Sequence, residues 1–405
     1  MTASAPRLPQ PGDVVELTMG EVAHGGWCVA RTDAGPVVFV RHALPGERVR
    51  AVITQTTSRF ARADATQILD ASADRVQPPC PYAVPGGCGG CDWQHAALPA
   101  QRALKAAVIG QQLRRIAGIE REVTVEPMPG DETGLGWRTR VKFAVGRGGV
   151  AGLRRHRSHE LMEIGDCLIA HPLIETAAVT GRRWPGAASV EVAVAPASGE
   201  RALAVSGRRA AQRGPAHLRQ RAAGRDWRVS ATGFWQVHPA AAGTLAAAVL
   251  DALRPRPGDV ALDLYCGAGL FAGVLADAVG PSGAVIGIEA DADAVRDARH
   301  NVRGTRWARV YRGDAAALLE RNRSWAATLA VVDPPRTGLT REVVGLLSEP
   351  GGVGRVAYVS CDPATLARDL AAFGASGWEL EALRAFDAFP MTHHVECLAT
   401  LTHDW

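Results

Sequence analysis

Short alternations of apolar and polar residues fill the first 70 positions of the chain. They predict strands over residues 13–19, 37–40, 48–54 and 63–68. Turn pairs such as Gly25-Gly26 separate these segments. The pattern predicts a small all-β barrel over residues 1–72, of the kind that binds oligonucleotides.

The pattern changes in the middle of the chain. An apolar stripe with helical spacing predicts a helix near residues 98–118, which can pack on the C-terminal domain. Strand patterns then return, as in residues 140–145 and 189–194. The arginine-rich stretch 208–225 is typical of a surface segment or a flexible edge. We therefore predict a β-rich central domain over residues 73–230.

From about residue 241, helical and strand patterns alternate. This series predicts an α/β domain with a doubly wound parallel sheet over residues 231–405. The last two strands, 378–386 and 395–402, are expected to add an antiparallel pair. The predicted parallel strands are 260–264, 284–288, 329–332 and 356–359, and the predicted helices are 243–253, 270–279, 292–302 and 340–347.

Composition narrows the class of protein. The chain has 405 residues, 47% hydrophobic and 21% charged, which is typical of a globular protein with more than one core. No apolar run reaches the roughly 18 residues of a membrane span. The N-terminus also lacks the plan of a signal peptide. We expect a cytoplasmic monomer without a membrane partner.

The basic residues are almost all arginine. Lys105 and Lys142 are the two lysines among 45 basic residues, and the formal net charge is only +4. Arginine content alone is therefore weak evidence for nucleic acid, and clustering matters more. The barrel arginines fit either a solvated face or an RNA-binding surface. If RNA binds, phosphate contacts are expected from Arg41, Arg48, Arg50, Arg138, Arg140 and Lys142.

Acidic residues follow successive predicted strands. A glycine-rich turn, residues 263–269, follows the first strand, Glu289 ends the second, and Asp314 follows the third. Ligands in open α/β sheets bind outside the carboxyl ends of the strands. One such acid alone is better explained as an exposed group near a helix N-terminus. Three at successive strand ends predict a nucleotide-type pocket.

Two further strand ends carry reactive groups. Cys361 follows the apolar run 356–359, and Asp333 begins an Asp-Pro-Pro-Arg segment. A cysteine thiolate beside a cofactor pocket indicates covalent chemistry. Cys266 and Cys397 lie near these segments but are expected to be small buried hydrophobic residues.

Four other cysteines predict a metal site. Cys80, Cys88 and Cys91 lie in a glycine- and proline-rich stretch, and Cys167 follows far downstream. Zinc or an iron–sulfur cluster would accept four thiolates, and spacing alone does not decide between them.

Taken together, the motifs resemble the RNA uracil-C5 methyltransferase family over nearly the whole chain. The N-terminal barrel resembles the TRAM domain, and the C-terminal half resembles class I methyltransferases that use S-adenosylmethionine. The motifs that carry the resemblance are Gly233-Phe234-Trp235-Gln236-Val237, Asp263-Leu264-Tyr265-Cys266-Gly267-Ala268-Gly269, Asp333-Pro334-Pro335-Arg336, Ser360-Cys361-Asp362-Pro363 and His394-Val395-Glu396.

The chemistry needs one cysteine and one carboxylate. Carbon 5 of uracil is a poor nucleophile until a thiolate adds to carbon 6, and a base must then remove the carbon-5 proton. Cys361 is the expected nucleophile and Glu396 the expected base. The resemblance implies that further residues contact the cofactor or the base: Gln236, Tyr265, Gly267, Glu289, Asp314 and Asp333.

The resemblance also favours a structural 4Fe–4S cluster at Cys80, Cys88, Cys91 and Cys167, with zinc as the alternative. A TRAM-like barrel with a cluster resembles the ribosomal-RNA members, so 23S rRNA is the favoured substrate and tRNA the second candidate. Two other functions stay open. They are a cytosine-C5 RNA methyltransferase, although no cysteine follows Pro334-Pro335, and a non-catalytic RNA-binding protein.

Overall fold

The computed structural model describes residues 9–32, 36–208 and 210–404. Its N-terminal part is one six-stranded sheet with the order β1-β5-β6-β4-β3-β2. Alternate residues, such as Val38, Val40 and Val49, are fully buried on its inner face. The strands are β1 (Val14–Thr18), β2 (Val22–Ala23), β3 (Trp27–Arg31), β4 (Val37–Arg41), β5 (Arg48–Thr56) and β6 (Phe60–Asp70).

The central part is also rich in strands. Helix α1 (Leu98–Gln112) continues into a short π-helical turn, and its Ile109 packs in one core with Leu264 of the C-terminal sheet. The helix therefore packs against the C-terminal sheet. The other elements are β7 (Val125–Pro127), β8 (Arg140–Val145), β9 (Ala151–Arg154), β10 (Leu161–Met162), α2 (Thr176–Thr180), β11 (Ala187–Ala195), β12 (Glu200–Gly207), β13 (Ala211–Arg213), β14 (His217–Ala222) and β15 (Arg225–Ser230).

The arginine-rich stretch 208–225 is more regular than a flexible edge. The central sheet has the order β10-β9-β8-β11-β12-β13, so β13 is an edge strand. Strands β14 and β15 form an antiparallel hairpin. Alternate residues of β14, such as Leu218 and Gln220, are buried, which is the period expected of a strand.

The C-terminal part is an eight-stranded sheet with the order β18-β17-β16-β19-β20-β22-β21-β7. Strands β16 to β20 run parallel, and β22 is antiparallel to both of its neighbours. The elements are α3 (Ala241–Leu253), β16 (Val260–Leu264), α4 (Leu270–Val279), β17 (Ala284–Glu289), α5 (Ala292–Asn301), β18 (Ala308–Arg312), α6 (Ala315–Arg321), β19 (Leu329–Val332), α7 (Arg341–Leu347), β20 (Arg355–Ser360), α8 (Pro363–Ala375), β21 (Glu379–Asp387) and β22 (Glu396–Thr402).

Helices cover both faces of this sheet, which confirms the predicted doubly wound α/β class. One core contains Leu275 and Val331, and the core on the other face contains Val332 and Tyr358. Neighbouring residues of β19 thus point into different cores, which is why this strand is apolar throughout. In the described part of the chain, no helix is both long and apolar enough to cross a membrane.

Candidate active site

The predicted site residues of the C-terminal domain meet along one edge of the sheet. The parallel strands all end there, and antiparallel β22 begins there, because Ser360 pairs with Cys397. Following the strand order from the outer edge, the residues at these ends are Asp314, Glu289, Tyr265, Asp333, Cys361 and Glu396. We call Asp314, Glu289 and Tyr265 the cofactor half of the site, and Cys361 and Glu396 the reactive half. Asp333 lies between the two halves.

The glycine-rich turn and Glu289 form one hydrogen-bonded unit. The Gly267 amide donates to Glu289 Oε2 at 3.0 Å, and the Asp291 amide donates to Oε1 at 2.8 Å. Tyr265 adopts φ 64°, a left-handed conformation that a non-glycine residue rarely takes. The turn thus folds back over the end of β17, where a carboxylate fixed by two amides can accept ribose hydroxyls.

An aspartate that the sequence interpretation left out of the site supports this turn. Asp263 is fully buried, and its Oδ2 accepts a 2.6 Å hydrogen bond from the Ala272 amide at the start of α4. Burial raises the pKa of Asp263 well above its usual range. The signal in the sequence was an acid within an apolar strand.

The reactive half combines a thiol, two carboxyls and a guanidinium. Burial raises the pKa of Asp333 to about 7 and that of Glu396 well above its usual range, and Asp333 raises the pKa of Glu396 further. Burial, then the charge of Glu396, raises the pKa of Cys361 to about 11, while the hydrogen-bonded Arg336 opposes this rise. The protonation state of each of these groups therefore depends on the charge of its neighbours.

The other two cysteines near the site are buried as predicted. Cys266 is 5% exposed and packs in the core beneath the glycine turn. Cys397 is 0% exposed and packs in the opposite core. Cys361 is partly accessible and is the thiol at the site edge.

The motif at residues 233–237 places three side chains differently. Trp235 is buried against Trp227, with ring centroids 6.1 Å apart. Gln236 is 7% exposed, whereas Phe234 is 70% exposed. A large aromatic side chain this exposed beside a buried amide offers a face for stacking.

The loop that leads into Glu396 is held from two sides. Lys105 of α1 is 1% exposed, contacts Asp387 Oδ1 at 2.5 Å and donates to the Phe389 carbonyl at 3.0 Å. Asp92, next to Cys91, accepts hydrogen bonds from the His393 amide and from His393 Nδ1, at 3.1 and 2.6 Å. The sequence interpretation missed Lys105 and Asp92, although a lone lysine in an apolar stripe was a usable signal.

The barrel reaches the same site. His24 Nε2 lies 3.3 Å from Asp362 Oδ2, and Asp362 caps helix α8 directly after Cys361. This capping and the contact with His24 lower the pKa of Asp362 far below its usual range. The segment that carries Cys361 is therefore fixed by both terminal parts of the chain.

The four predicted metal ligands line one cavity. Cys80, Cys88, Cys91 and Cys167 surround it together with apolar side chains such as Leu153 and Ile164. The Gly90 amide donates to Cys88 Sγ at 3.4 Å, and Gln94 Nε2 donates to Cys91 Sγ at 3.1 Å. Soft sulfur donors, amide hydrogen bonds and an apolar wall are a donor set that fits an iron–sulfur cluster.

The placement of these thiols does not by itself show a metal. Within residues 9–32, 36–208 and 210–404, no group of three or more His, Cys, Asp or Glu side chains has the geometry to hold a metal ion. A zinc site would need its sulfurs about 2.3 Å from one ion. Burial raises the pKa of Cys88, Cys91 and Cys167, so that the free thiols are neutral.

Several arginines expected to contact phosphate have structural partners instead. Arg41 is 3% exposed and lies 3.4 Å from Asp92 Oδ1. Arg140 donates to the Ala231 carbonyl at 2.8 Å. On the barrel surface, Arg48 is paired with Glu16 and Asp70, and Arg50 lies 3.8 Å from Glu16. The expected role of Arg41 is thus wrong, because its buried side chain holds the barrel against the segment after Cys91. The expected role of Arg140 stays a prediction.

Known families match both the N-terminal barrel and the C-terminal domain that carries the strand-end residues. The family described as tRNA (uracil-5-)-methyltransferase matches residues 319–404, which include Asp333, Cys361 and Glu396. The TRAM domain matches residues 10–66. Residues 233–316 match the protein-L-isoaspartate(D-aspartate) O-methyltransferase family.

Full-length relatives are similar over the whole chain. An uncharacterized RNA methyltransferase of Streptomyces avermitilis is 49% identical and covers 96% of this chain and 98% of its own. One from Streptomyces coelicolor is 48% identical, covering 96% and 93%. The crystal structure of the Pyrococcus abyssi tRNA (uracil-54, C5)-methyltransferase, in complex with S-adenosyl-L-homocysteine, has the same fold, with a TM-score of 0.72, 22% identity and coverage of 96% and 99%. The chain belongs to the RNA uracil-C5 methyltransferase family.

Proposed function

We propose that this enzyme methylates carbon 5 of a uridine in 23S rRNA through a covalent adduct between Cys361 and carbon 6. The observation that carries the proposal is the meeting of Cys361 and Glu396 at the ends of adjacent strands β20 and β22. A thiol and a carboxyl on adjacent strands can act on neighbouring carbons of one flat ring.

S-adenosylmethionine, when bound, supplies an electrophilic methyl group to this site. Its binding residues are proposed to be Glu289 for the ribose, Gly267 and Tyr265 of the turn, and Asp314 for the adenine. Asp314 Oδ1 accepts the Ala317 amide as the cap of α6, which leaves Oδ2 for a ligand. Asp333 lies between this half and Cys361, where it can contact both the methyl donor and the uracil.

Each reactive residue has one role in the proposed mechanism. Cys361 loses its proton to solvent and forms a bond from Sγ to carbon 6, which makes carbon 5 an enolate carbon. Carbon 5 would then take up the methyl group as the bond between that group and the sulfonium sulfur breaks, which leaves a neutral thioether. Glu396 then accepts the carbon-5 proton, and the bond from Sγ to carbon 6 breaks. Arg336, hydrogen-bonded to Cys361, stabilises the thiolate.

Uracil must leave its base stack to reach this buried edge of the sheet. Gln236 is proposed to bind the exposed uracil edge. Phe234 presents a free aromatic face next to it, and stacking of an unpaired base on such a face contributes about 1–3 kcal/mol. Both features favour a single-stranded target.

The four cysteines are proposed to hold a 4Fe–4S cluster with a structural role. Burial raises the pKa of Cys88 and Cys167 while the charge of Arg138 opposes the rise, and a nearby cation also suits the negative charge of a thiolate-ligated cluster. Asp92, the residue after Cys91, binds the loop before Glu396. The cluster would thus fix the position of the base; methyl transfer needs no electrons from it.

Transfer RNA is the second candidate substrate. The Pyrococcus abyssi structure covers 96% of this chain, barrel included, so the barrel alone does not select ribosomal RNA. Mass mapping of 5-methyluridine in the RNA of a deletion strain separates the two. A missing methyl group in 23S rRNA supports the proposal, and one missing only in tRNA replaces the substrate.

The covalent mechanism is tested with two variants that should fail differently. Cys361→Ala should bind RNA but form no adduct and transfer no methyl group. Glu396→Gln should transfer the methyl group and then remain bound as a protein–RNA complex that survives denaturing electrophoresis. Loss of a proton-transfer group typically slows a reaction by about 10²–10⁴-fold, so slow release is allowed.

Two controls complete this test. Glu379→Gln, an exposed glutamate at the start of β21, should behave as wild type. RNA containing 5-fluorouridine should trap wild type, since fluorine cannot leave as a cation. Methylation by Cys361→Ala, or no adduct in either trap, would refute the covalent mechanism.

A further inference from the structure

A concentrated positive charge lies away from the barrel, on helix α5 and edge strand β18. Residues 296–312 contain six arginines and one aspartate, a net charge of +5, whereas the whole chain carries +4. The rest of the molecule is therefore close to neutral. We name this surface the edge patch and define it by Arg296, Arg299, Arg303, Arg306, Arg309 and Arg312.

All six side chains of the edge patch are exposed. Arg296, Arg299 and Arg303 follow one another at intervals of three and four, which places them on one face of α5 and its end. Arg309 and Arg312 lie on β18, the outermost strand of the described sheet. Because successive side chains of a strand alternate between its faces, Arg309 and Arg312 leave opposite faces of this exposed edge.

These arginines largely lack acidic partners. Only Arg296 pairs with a carboxylate, that of Asp293; in the described residues, no other member of the edge patch has an acidic group within 4.0 Å. Asp297 lies in the same segment but is 2% exposed and pairs with Arg228. By contrast, Arg48 on the barrel is paired twice. The charge of the edge patch is thus available to a ligand.

The surface is grooved and spans two parts of the molecule. One groove, between the end of α5 and β18, is lined by Arg299, Arg303, Arg306 and Arg309. A second groove lies between α5 and the β14–β15 hairpin and shares Arg303; its other basic residues are His217, Arg219, Arg228 and His300.

The edge patch also connects with the active site. Arg312 ends β18 and pairs in register with Glu289 at the end of β17, beside the glycine turn. The helix N-terminus before Arg296 lies at the same edge of the sheet, because its capping residue Asp291 is two positions after Glu289. A chain of phosphates that leaves the site can therefore continue along β18.

We propose that the edge patch binds the phosphate backbone of the substrate RNA, outside the segment that enters the active site. Arginine is suited to this role because its planar guanidinium donates two hydrogen bonds to one phosphate. Such contacts fix the position of an RNA and read no sequence. The inference rests on the RNA substrate of the proposed function and adds a second region of contact.

The test measures RNA affinity as a function of salt. The variant Arg303→Gln/Arg306→Gln/Arg309→Gln removes three charges from the edge patch. The probe is a fluorescein-labelled, uridine-rich, single-stranded RNA of 40 nucleotides, titrated between 50 and 200 mM salt. Between 50 and 200 mM salt, each lost phosphate contact should reduce the fold-loss of affinity by a factor of about 2.6, or about 18 for three contacts.

A matched variant removes the same charge elsewhere. Arg201, Arg254 and Arg323 are exposed and each is paired with a glutamate. Their triple change to glutamine should keep the wild-type salt dependence, because arginines already paired with glutamates are not expected to contact phosphate. Unchanged S-adenosylmethionine affinity in both triple variants shows that the fold is intact.

Two results would overturn the inference. If the edge-patch variant keeps the wild-type salt dependence, the edge patch does not bind the RNA. If that variant also self-associates with rising concentration, the arginines instead protect an open strand edge from pairing with another sheet. Both results leave the proposed function standing, because the Cys361 adduct is measured separately in wild type.

Discussion

The strand-end pocket and the cysteine site hold reactive groups by different means. In the pocket, Asp333 and Cys361 directly follow strands whose side chains are buried in the two cores. The positions of these groups are therefore set by the hydrophobic packing of the sheet. In the cysteine site, residues 71–97 form neither a helix nor an extended strand.

The cysteine segment is held by isolated contacts instead. Cys88 forms a single β-bridge with Arg155, and Gly89 approaches the backbone of His156 so closely that a Cβ atom would lie 2.8 Å from its Cα. Few buried apolar side chains stabilise this segment. The pocket therefore forms with the fold, whereas we expect the cysteine segment, in which Trp93 and Ala96 join a small core, to gain stability from a group bound by its thiols.

The largest effect should come from removing a cysteine of the proposed cluster site. Cys88→Ser is expected to lose bound iron and at least about 4 kcal/mol of unfolding free energy. Methyl transfer should fall as well, because Asp92 next to Cys91 holds the loop before Glu396. Iron analysis, thermal melting and single-turnover methylation of anaerobically purified protein measure these three effects.

A second thiol substitution sharpens the same comparison. Cys266→Ala removes a buried thiol from the strand-end region and should keep iron, at a cost of less than about 1.5 kcal/mol. Stoichiometric zinc and no iron in wild type would replace the cluster with a zinc site. Wild-type stability of Cys88→Ser would show that the segment folds without a bound group.

In contrast to Cys88→Ser, the variant Glu289→Ala should affect only the strand-end pocket. Glu289→Ala should weaken S-adenosylmethionine binding by about 1.5–3 kcal/mol, the contribution of a charge-assisted hydrogen bond. Iron content should remain that of wild type. Isothermal titration calorimetry gives the affinity, and Glu320→Ala, an exposed glutamate of α6, is the matched control. Wild-type affinity of Glu289→Ala would remove this residue from the cofactor site.

The same difference explains what the sequence could predict. Strands β16 and β19 and helix α4 occur at their predicted bounds, because buried parallel strands are continuous apolar runs ended by turns. The strand-end residues followed from those bounds. Strands β2 and β3, which flank Gly25-Gly26, were missed since β2 has only two residues.

Long-range polar contacts could not be predicted from the sequence. The pairing of Asp92 with His393 joins residues 301 positions apart, and no local pattern marks it. The same reason explains the error over Arg41, which resembles any surface arginine until Asp92 is placed beside it. The edge patch was visible as a dense run of arginines, but its lack of acidic partners is a property of the fold.

The smallest expected effect is a displacement of the pH–rate profile, and it concerns the strand-end pocket alone. Asp333 has a pKa of about 7, that of Glu396 is raised, and that of Cys361 is about 11. Glu396 must be ionised to accept a proton, and the Cys361 thiol must lose one. Their raised pKa values therefore predict a rate that increases with pH, by about tenfold per unit for each group that must still lose a proton.

Arg336 provides the variant that tests this assignment. Its guanidinium lowers the pKa of Cys361 and of Glu396, so Arg336→Gln should displace the pH–rate profile to higher pH, and Arg336→Lys should displace it less. Single-turnover methyl transfer at saturating RNA and S-adenosylmethionine, between pH 6 and 9, measures the displacement. A wild-type rate that does not change between pH 6 and 8 would show that proton transfer at this group of residues does not limit the reaction. If Arg336→Gln leaves the pH–rate profile unchanged, Arg336 does not lower the pKa of the Cys361 thiol. In that case, only the bound RNA could lower the pKa of Cys361 during the reaction.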